Sequence, residues 1–158
     1  MAQQESTNTI IKEYRGDLNN DKISDIIMIE AAKCGYYDDE ARCRIVTISL
    51  LDKDGSSLFS FYSPNIIPCS FCDDHNISTL KKVKIRKNSF SFILIHKLIP
   101  EETTITETMN FKYHKIVNNF ILQKKVRTIK SYKNGNVEFK TQIQTPKDFG
   151  QVYFSDYR

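Results

Sequence analysis

The stretch LKKVKIRKNSFSFILIHKL, residues 80–98, sets the class of fold. Up to Lys87 the charged side chains alternate with Val83 and Ile85, the period of a strand with one wet and one dry face. Asn88-Ser89 is a turn signal, because asparagine tolerates left-handed backbone. From Phe90 onward the alternation fades, and the centre FILI is apolar on both faces, as befits a strand in the middle of a sheet. The segment reads as a β-hairpin with one solvated arm and one central arm.

Working outward, the same pattern repeats. TTITETMNFKYHKI (103–116) turns at Asn118-Asn119 into NFILQKKVRTIKSY (119–132). KNGN (133–136) carries Asn134-Gly135, suited to a type I′ turn, into VEFKTQIQ (137–144). Pro146 ends that strand, and FGQVYFSDY (149–157) reads as a last, aromatic one. Upstream lie IIMIEA (26–31), CRIVTISLL (43–51) and SLFSFYS (57–63); DKDG (52–55) joins the last two and places Gly55 where positive φ is needed. Helical periodicity is scarce, and there is neither an internal repeat nor a low-complexity tract. The expected fold is all-β: about eight antiparallel strands in a twisted sheet, sandwich or open barrel.

A chain of 158 residues can bury one real core. Residues 1–9, MAQQESTNT, are polar and expected to be disordered, and residues 10–158 are expected to form a single β domain. The polar opening fits a chain that begins after a removed export signal. No run approaches the ~18 apolar residues of a membrane-spanning helix. The net charge of +4 is uneven, with 7 Lys/Arg against 13 Asp/Glu in residues 1–78 and 16 against 6 in residues 79–158. Such asymmetry implies opposite electrostatic faces, which steer encounters. It does not argue for nucleic acid, because KKVKIRK (81–87) and QKKVRTIK (123–130) set their charges in apolar alternation, as solvated strand faces do.

Ahead of the strand at 26–31 stands DLNNDKISD, residues 17–25, with three aspartates and two asparagines in nine positions. Asp17, Asn19, Asp21 and Asp25 occupy positions 1, 3, 5 and 9 of a D-x-N-x-D-x-x-x-D loop, and Ile23 at position 7 can offer its backbone carbonyl. That spacing suits calcium, which takes about six to eight oxygens from a tightly coiled loop. Asp and Asn also build turns without any metal. Four oxygen side chains in register exceed what a turn requires, however, and close carboxylates repel unless a cation lies among them. Lys22 stands at position 6, where glycine is usual, so the loop requires a left-handed residue bearing a Cβ. Met28 at position 12 excludes an EF-hand and leaves Asp25 to chelate with both oxygens. A bound Ca2+ would cancel the repulsion among Asp17, Asp21 and Asp25 and pin the entry to the following strand.

Cys34, Cys43, Cys69 and Cys72 all fall in the loop-rich first half. An even number in a small domain fits disulfides, with three connectivities open. The local pairing 34–43 and 69–72 ranks first, because each pair brackets a short, turn-prone segment. A four-thiolate zinc site is the rival, weakened by having one CxxC knuckle where a zinc ribbon has two. A weak calcium loop and disulfides both point outside the cytoplasm.

YRGDLNNDKISDIIMIE (14–30) resembles the calcium-loop-and-strand of exported bacterial proteins. PCSFCDD (68–74), IRKNSFSF (85–92), TMNFKYHKIVNNFIL (108–122) and TPKDFGQVYF (145–154) follow in the order seen in the same type of protein. Together they cover most of the chain, and the group is similar to periplasmic lysozyme inhibitors and to immunity proteins against secreted peptidoglycan hydrolases. The resemblance implies a calcium-loaded β fold in the periplasm that plugs the active site of a lysozyme-like toxin with its loops.

On that reading the partner-binding residues are Tyr36, Tyr37, Asp38 and Asp39 in one loop and Asp73, Asp74 and His75 in the other. Tyrosines anchor interfaces, and a braced loop loses little entropy on docking. The alternative is a calcium-dependent module for cell wall or a surface protein, with Tyr113, Tyr132 and Tyr153 as stacking faces. Catalysis is not expected: His75, His96 and His114 sit on separate segments with no nucleophile motif. CSFC lacks the βαβ context of a redox pair. His114 should face solvent, because Met109, Phe111 and Tyr113 alternate with it. The expected partner is a protein; homodimerisation is left open.

Overall fold

A computed structural model of the chain describes residues 9–33, 42–69, 76–99 and 101–158. Among these residues nine strands form two antiparallel sheets. The first holds β1 (Thr9–Gly16), β2 (Asp25–Lys33), β3 (Arg42–Leu51) and β4 (Ser57–Ser63) in that order. The second holds β5 (Asn76–Arg86), β6 (Ser89–Leu98), β7 (Thr103–His114), β8 (Asn119–Lys133) and β9 (Asn136–Gln144). Within each sheet every strand pairs with its neighbour in sequence, so each sheet is a meander. The all-β expectation holds, as an open two-sheet arrangement without a closed barrel.

The hairpin of residues 80–98 behaves as its composition demands. Lys82, Lys84 and Arg86 on β5 are exposed while Val83 is buried, and β6 lies between β5 and β7 with Phe90, Phe92 and Leu94 buried. The turn falls one residue earlier than the sequence suggests: Asn88 takes φ 65° and Ser89 already belongs to β6. Asn134 and Gly135 adopt φ 50° and 77°, the double positive φ of a type I′ turn, and Gly55 adopts 84°.

Two segments depart from the sequence reading. TIIKEYRG, whose Lys12, Glu13 and Arg15 mask its alternation, forms the edge strand β1. FGQVYFSDY, expected to be a strand, instead follows a short helix α1 (Pro146–Phe149), makes one bridge from Tyr153 to Ile121, and ends in a 3-10 turn at Phe154–Asp156. Pro146 and the Thr145–Asp148 capping box start that helix: Thr145 donates its N–H to the Asp148 carboxylate at 2.7 Å.

The core lies between the sheets. Ile27, Ile29, Val46, Ile48 and Phe61 come from the first, and Phe90, Phe92, Met109, Phe111, Phe120 and Leu122 from the second. The chain end supplies the last piece, because the 3-10 turn packs on both β4 and β8 and buries Phe154 completely. At the opposite side β1 meets β5. A Cβ at Gly16 would come within 2.6 Å of Ile85, so glycine is what lets the two edges touch.

Candidate metal centre

The loop of residues 17–25 joins β1 to β2 and is anchored by Leu18, which is fully buried in the core. Around that anchor the aspartates coil the backbone. Asp17 accepts the N–H of Asn20 at 2.6 Å and of Lys22 at 3.0 Å; Asp21 accepts that of Ile23 at 2.8 Å. Asn20 and Lys22 take φ 66° and 70°. The left-handed residue demanded at position 6 is therefore present, held by Asp17 at a steric cost of about 1–2 kcal/mol.

Asp25 is the structural pivot. It is wholly buried, and its two carboxylate oxygens accept Leu18 N–H at 2.8 Å and Leu51 N–H at 3.0 Å. It thus ties the loop both to itself and to the end of β3. Burial pushes its carboxyl above the ordinary carboxylate range; the two backbone donors pull the other way, and Asp21 and Asp17 add to the rise. Carboxylate oxygens of Asp17, Asp21 and Asp25 all lie within 4.8 Å of one another. Asp17 Oδ1 already accepts two N–H groups, from Asn20 and Asp21, while the other five oxygens each accept one hydrogen bond and keep a further acceptor site. The group can hold a metal ion.

Asn19 donates to Asp21 at 2.9 Å and accepts that residue's N–H at 3.2 Å, so its side chain is turned toward the cluster. Ile23 sits in the same coil, its N–H on Asp21. The loop is also stitched to the second sheet: Asn88 donates its N–H to the Asp17 carbonyl at 3.4 Å, and Tyr113 donates its own to the Asn88 carbonyl at 3.1 Å. Tyr113 Oη reaches Asn118 at 2.6 Å, and burial, followed by Asp21 and Asp25, raises its pKa. Whatever fixes the aspartate loop therefore fixes one sheet against the other.

Exchanging Lys22 for glycine tests this account. It removes left-handed strain, to be set against the greater freedom of glycine in the unfolded chain. It also removes one positive charge beside the carboxylates. The expected result is unchanged or slightly higher metal-free stability and roughly tenfold tighter divalent-cation binding by calorimetry; unchanged affinity would show that the Lys22 charge points away from the ion.

Cys43, at the start of β3, and Cys69, after β4, are both disulfide-bonded. Their sulfurs stand 3.6 Å apart, too far for a bond to each other, so the 43–69 connectivity is excluded. Cys34 and Cys72 lie outside the described residues, as do Tyr36, Tyr37, Asp38, Asp39, Asp73, Asp74 and His75. The structure does bring together Cys43 and Cys69, which border the segments 34–41 and 70–75.

A second polar cluster escaped the sequence reading. Glu107 on β7 is buried on the same face as Met109 and Phe111. Arg127 Nε lies 3.0 Å from it, Lys125 Nζ 3.6 Å and His96 Nε2 3.9 Å. QKKVRTIK is therefore not simply a solvated face, since two of its cations turn toward a buried carboxylate. The signal available was Glu107 itself, in the apolar register of TITETMNF. His114 lies on the opposite face from Met109 and Phe111, near Gln123.

Burial lowers the His96 pKa, with Arg127 and Lys125 in the same direction and Glu107 opposing. A histidine depressed in the folded state binds its proton more readily when unfolded. Stability is therefore lost as pH falls through the ordinary histidine value of 6.5 toward the folded pKa. In a pH series of melting temperatures, His96→Gln should flatten that acid-side decline; an identical slope would overturn the assignment.

In comparisons with known proteins, no family model, no curated protein and no solved structure matches the chain.

Proposed function

We propose that the protein is a periplasmic immunity or inhibitor protein that binds a secreted, lysozyme-like peptidoglycan hydrolase and blocks its active site with loops. The observation that carries this reading is the meeting of Cys43 and Cys69. Their 3.6 Å separation brings one end of the segment 34–41 and one end of the segment 70–75 side by side on the two-sheet frame. Segments that spring from neighbouring points of a scaffold are a common way of building a binding surface. Disulfide-bonded cysteines fit an oxidising compartment. The resemblance of the 14–30 segment and the motifs that follow it supplies the target class.

In this reading the ion held by Asp17, Asp21 and Asp25 is Ca2+, with Asn19 and the Ile23 carbonyl completing the oxygen set. Its role is structural: it neutralises a crowded carboxylate group at the junction of the two sheets. No chemical step is assigned to it.

Calorimetric titration with candidate peptidoglycan hydrolases, in calcium and in chelator, tests the proposal. Saturable one-to-one binding with loss of hydrolase activity is expected. No binding at micromolar concentrations would overturn it. Retention on purified peptidoglycan with no enzyme present would point instead to a wall-binding module.

A further inference from the structure

An open sandwich has four edge strands, here β1, β4, β5 and β9. Exposed edges present unpaired N–H and C=O groups, and proteins blunt them with bulges and charges. Three of the four edges carry a bulge. The pairing of β1 with β2 slips between Ile10 and Lys12, leaving Ile11 as the extra residue. That of β5 with β6 slips at Lys81, within a lysine-rich run, and that of β3 with β4 slips at Leu58. β9 carries the charges Glu138 and Lys140 but has no bulge: it pairs with β8 without interruption from Gln144 to Asn136, and all nine of its residues are exposed.

The outer face of β9 is also apolar. Val137 is 45% exposed, Phe139 70% and Ile143 56%, continued on β8 by Tyr132 at 49%. Across β8, Glu138 faces Ser131 and Lys140 faces Ile129, so neither has a cross-strand charge partner in its own sheet. An unbulged, unpaired edge with an apolar face is open to pairing, and its charges select only a partner strand that sets opposite charges against them.

The sequence of β9 selects the occupant. Two copies pairing antiparallel about a twofold axis must match residues of like parity, so that inner faces inner and outer faces outer. An axis at Lys140 sets lysine against lysine, and one at Glu138 sets glutamate against glutamate. An axis at Thr141 leaves both charges opposite glutamines. An axis at Phe139 sets Glu138 against the partner's Lys140 and Lys140 against the partner's Glu138. It also stacks the two Phe139 rings and pairs Val137 with the partner's Thr141. Opposite charges and aromatic pairs facing each other across strands are favourable contacts.

We propose that β9 is a homodimerisation edge, at which two copies of this chain join antiparallel about Phe139 into a continuous ten-stranded sheet.

Sedimentation equilibrium reads the outcome directly. At about 0.5 mM chain, where a micromolar interface is saturated, the expected mass is twice the 18.4 kDa of one chain. Glu138→Lys and Lys140→Glu, each made alone, should place like charges opposite one another and weaken association by roughly tenfold or more. The double exchange Glu138→Lys/Lys140→Glu should restore it. All of these positions are exposed, so thermal melts should remain unchanged and separate loss of pairing from loss of fold. A monomer at that concentration, a dimer indifferent to the single exchanges, or a double exchange that fails to restore pairing would each overturn the proposal. None of these results bears on hydrolase binding, which rests on other residues.

Discussion

Asp25→Ala should be the most damaging single change in the candidate metal centre. The wild-type carboxylate satisfies the N–H groups of Leu18 and Leu51, and both hydrogen bonds are buried. Removing it strands two donors at about 1–3 kcal/mol each, so the loss is roughly 2–6 kcal/mol. For a domain of this size that lowers the melting temperature by about 5–20 °C. The variant should also lose any stabilisation by divalent cations. Calorimetry with calcium and with chelator checks both parts; equal melting points for variant and wild type would refute the pivot role.

The same residue predicts a pH dependence. Its carboxyl is raised above 3.8 in the folded state, so the folded protein binds that proton more tightly than the unfolded chain. Without metal, stability therefore falls as pH rises through 3.8 and stops falling above the raised folded value. A bound cation offsets that cost only where the carboxylate is ionised. The gain on adding calcium should be absent at strongly acid pH and reach its full size above the folded pKa. Asp21→Ala should abolish the gain while leaving both Asp25 hydrogen bonds in place, separating the metal contribution from the backbone contribution.

Phe90→Ala is expected to cost about 3–5 kcal/mol, a large part of the stability of an ordinary domain. The ring is fully buried on β6 and has four aromatic neighbours: Phe120 at 5.0 Å, Phe92 at 5.3 Å, Phe111 at 5.5 Å and Phe154 at 5.9 Å between centroids. These rings reach it from its own strand, from β7 and β8, and from the chain end, so the cavity cannot close by moving one neighbour. Edge-on contacts add about 0.5–1.5 kcal/mol each beyond area burial. Phe59→Ala, at a ring 49% exposed near the start of β4, should change stability much less. Denaturant unfolding of the two variants side by side gives the comparison; similar losses would mean the core is not organised around Phe90.

The strands that could be read directly were those whose neighbours merely complete what their pattern announces. β6 is apolar on both faces, and a strand with nothing to offer water must be central. Asn134-Gly135 and Gly55 gave their turns because positive φ is a local steric matter. The aspartate loop was legible for the same reason: the Asp17 carboxylate accepts N–H groups three to five residues further along the chain, and the left-handed Lys22 follows from that coil alone. β1 was not legible, since Lys12, Glu13 and Arg15 on an edge strand resemble any polar lead-in. The C-terminal segment was misread because aromatic content favours strand locally, whereas Phe154 is placed by the gap between β4 and β8.

The amino-acid sequence by itself determined the β class, the meander of hairpins, the central position of β6 and the coil of the aspartate loop, because each depends on residues within one hairpin of each other. Tertiary structure alone decided which face of β8 looks inward. Phe111 pairs with Leu122 but Asn110 with Lys124, so Gln123 is an extra residue that reverses the alternation. Beyond it Lys125 and Arg127, and not Lys124 and Val126, share the face of Met109 and Glu107. A period of two carries no record of a one-residue bulge until a partner strand fixes the register. The same holds for Asp25, whose second hydrogen bond goes to Leu51, 26 residues away, a distance only the folded sheet can close.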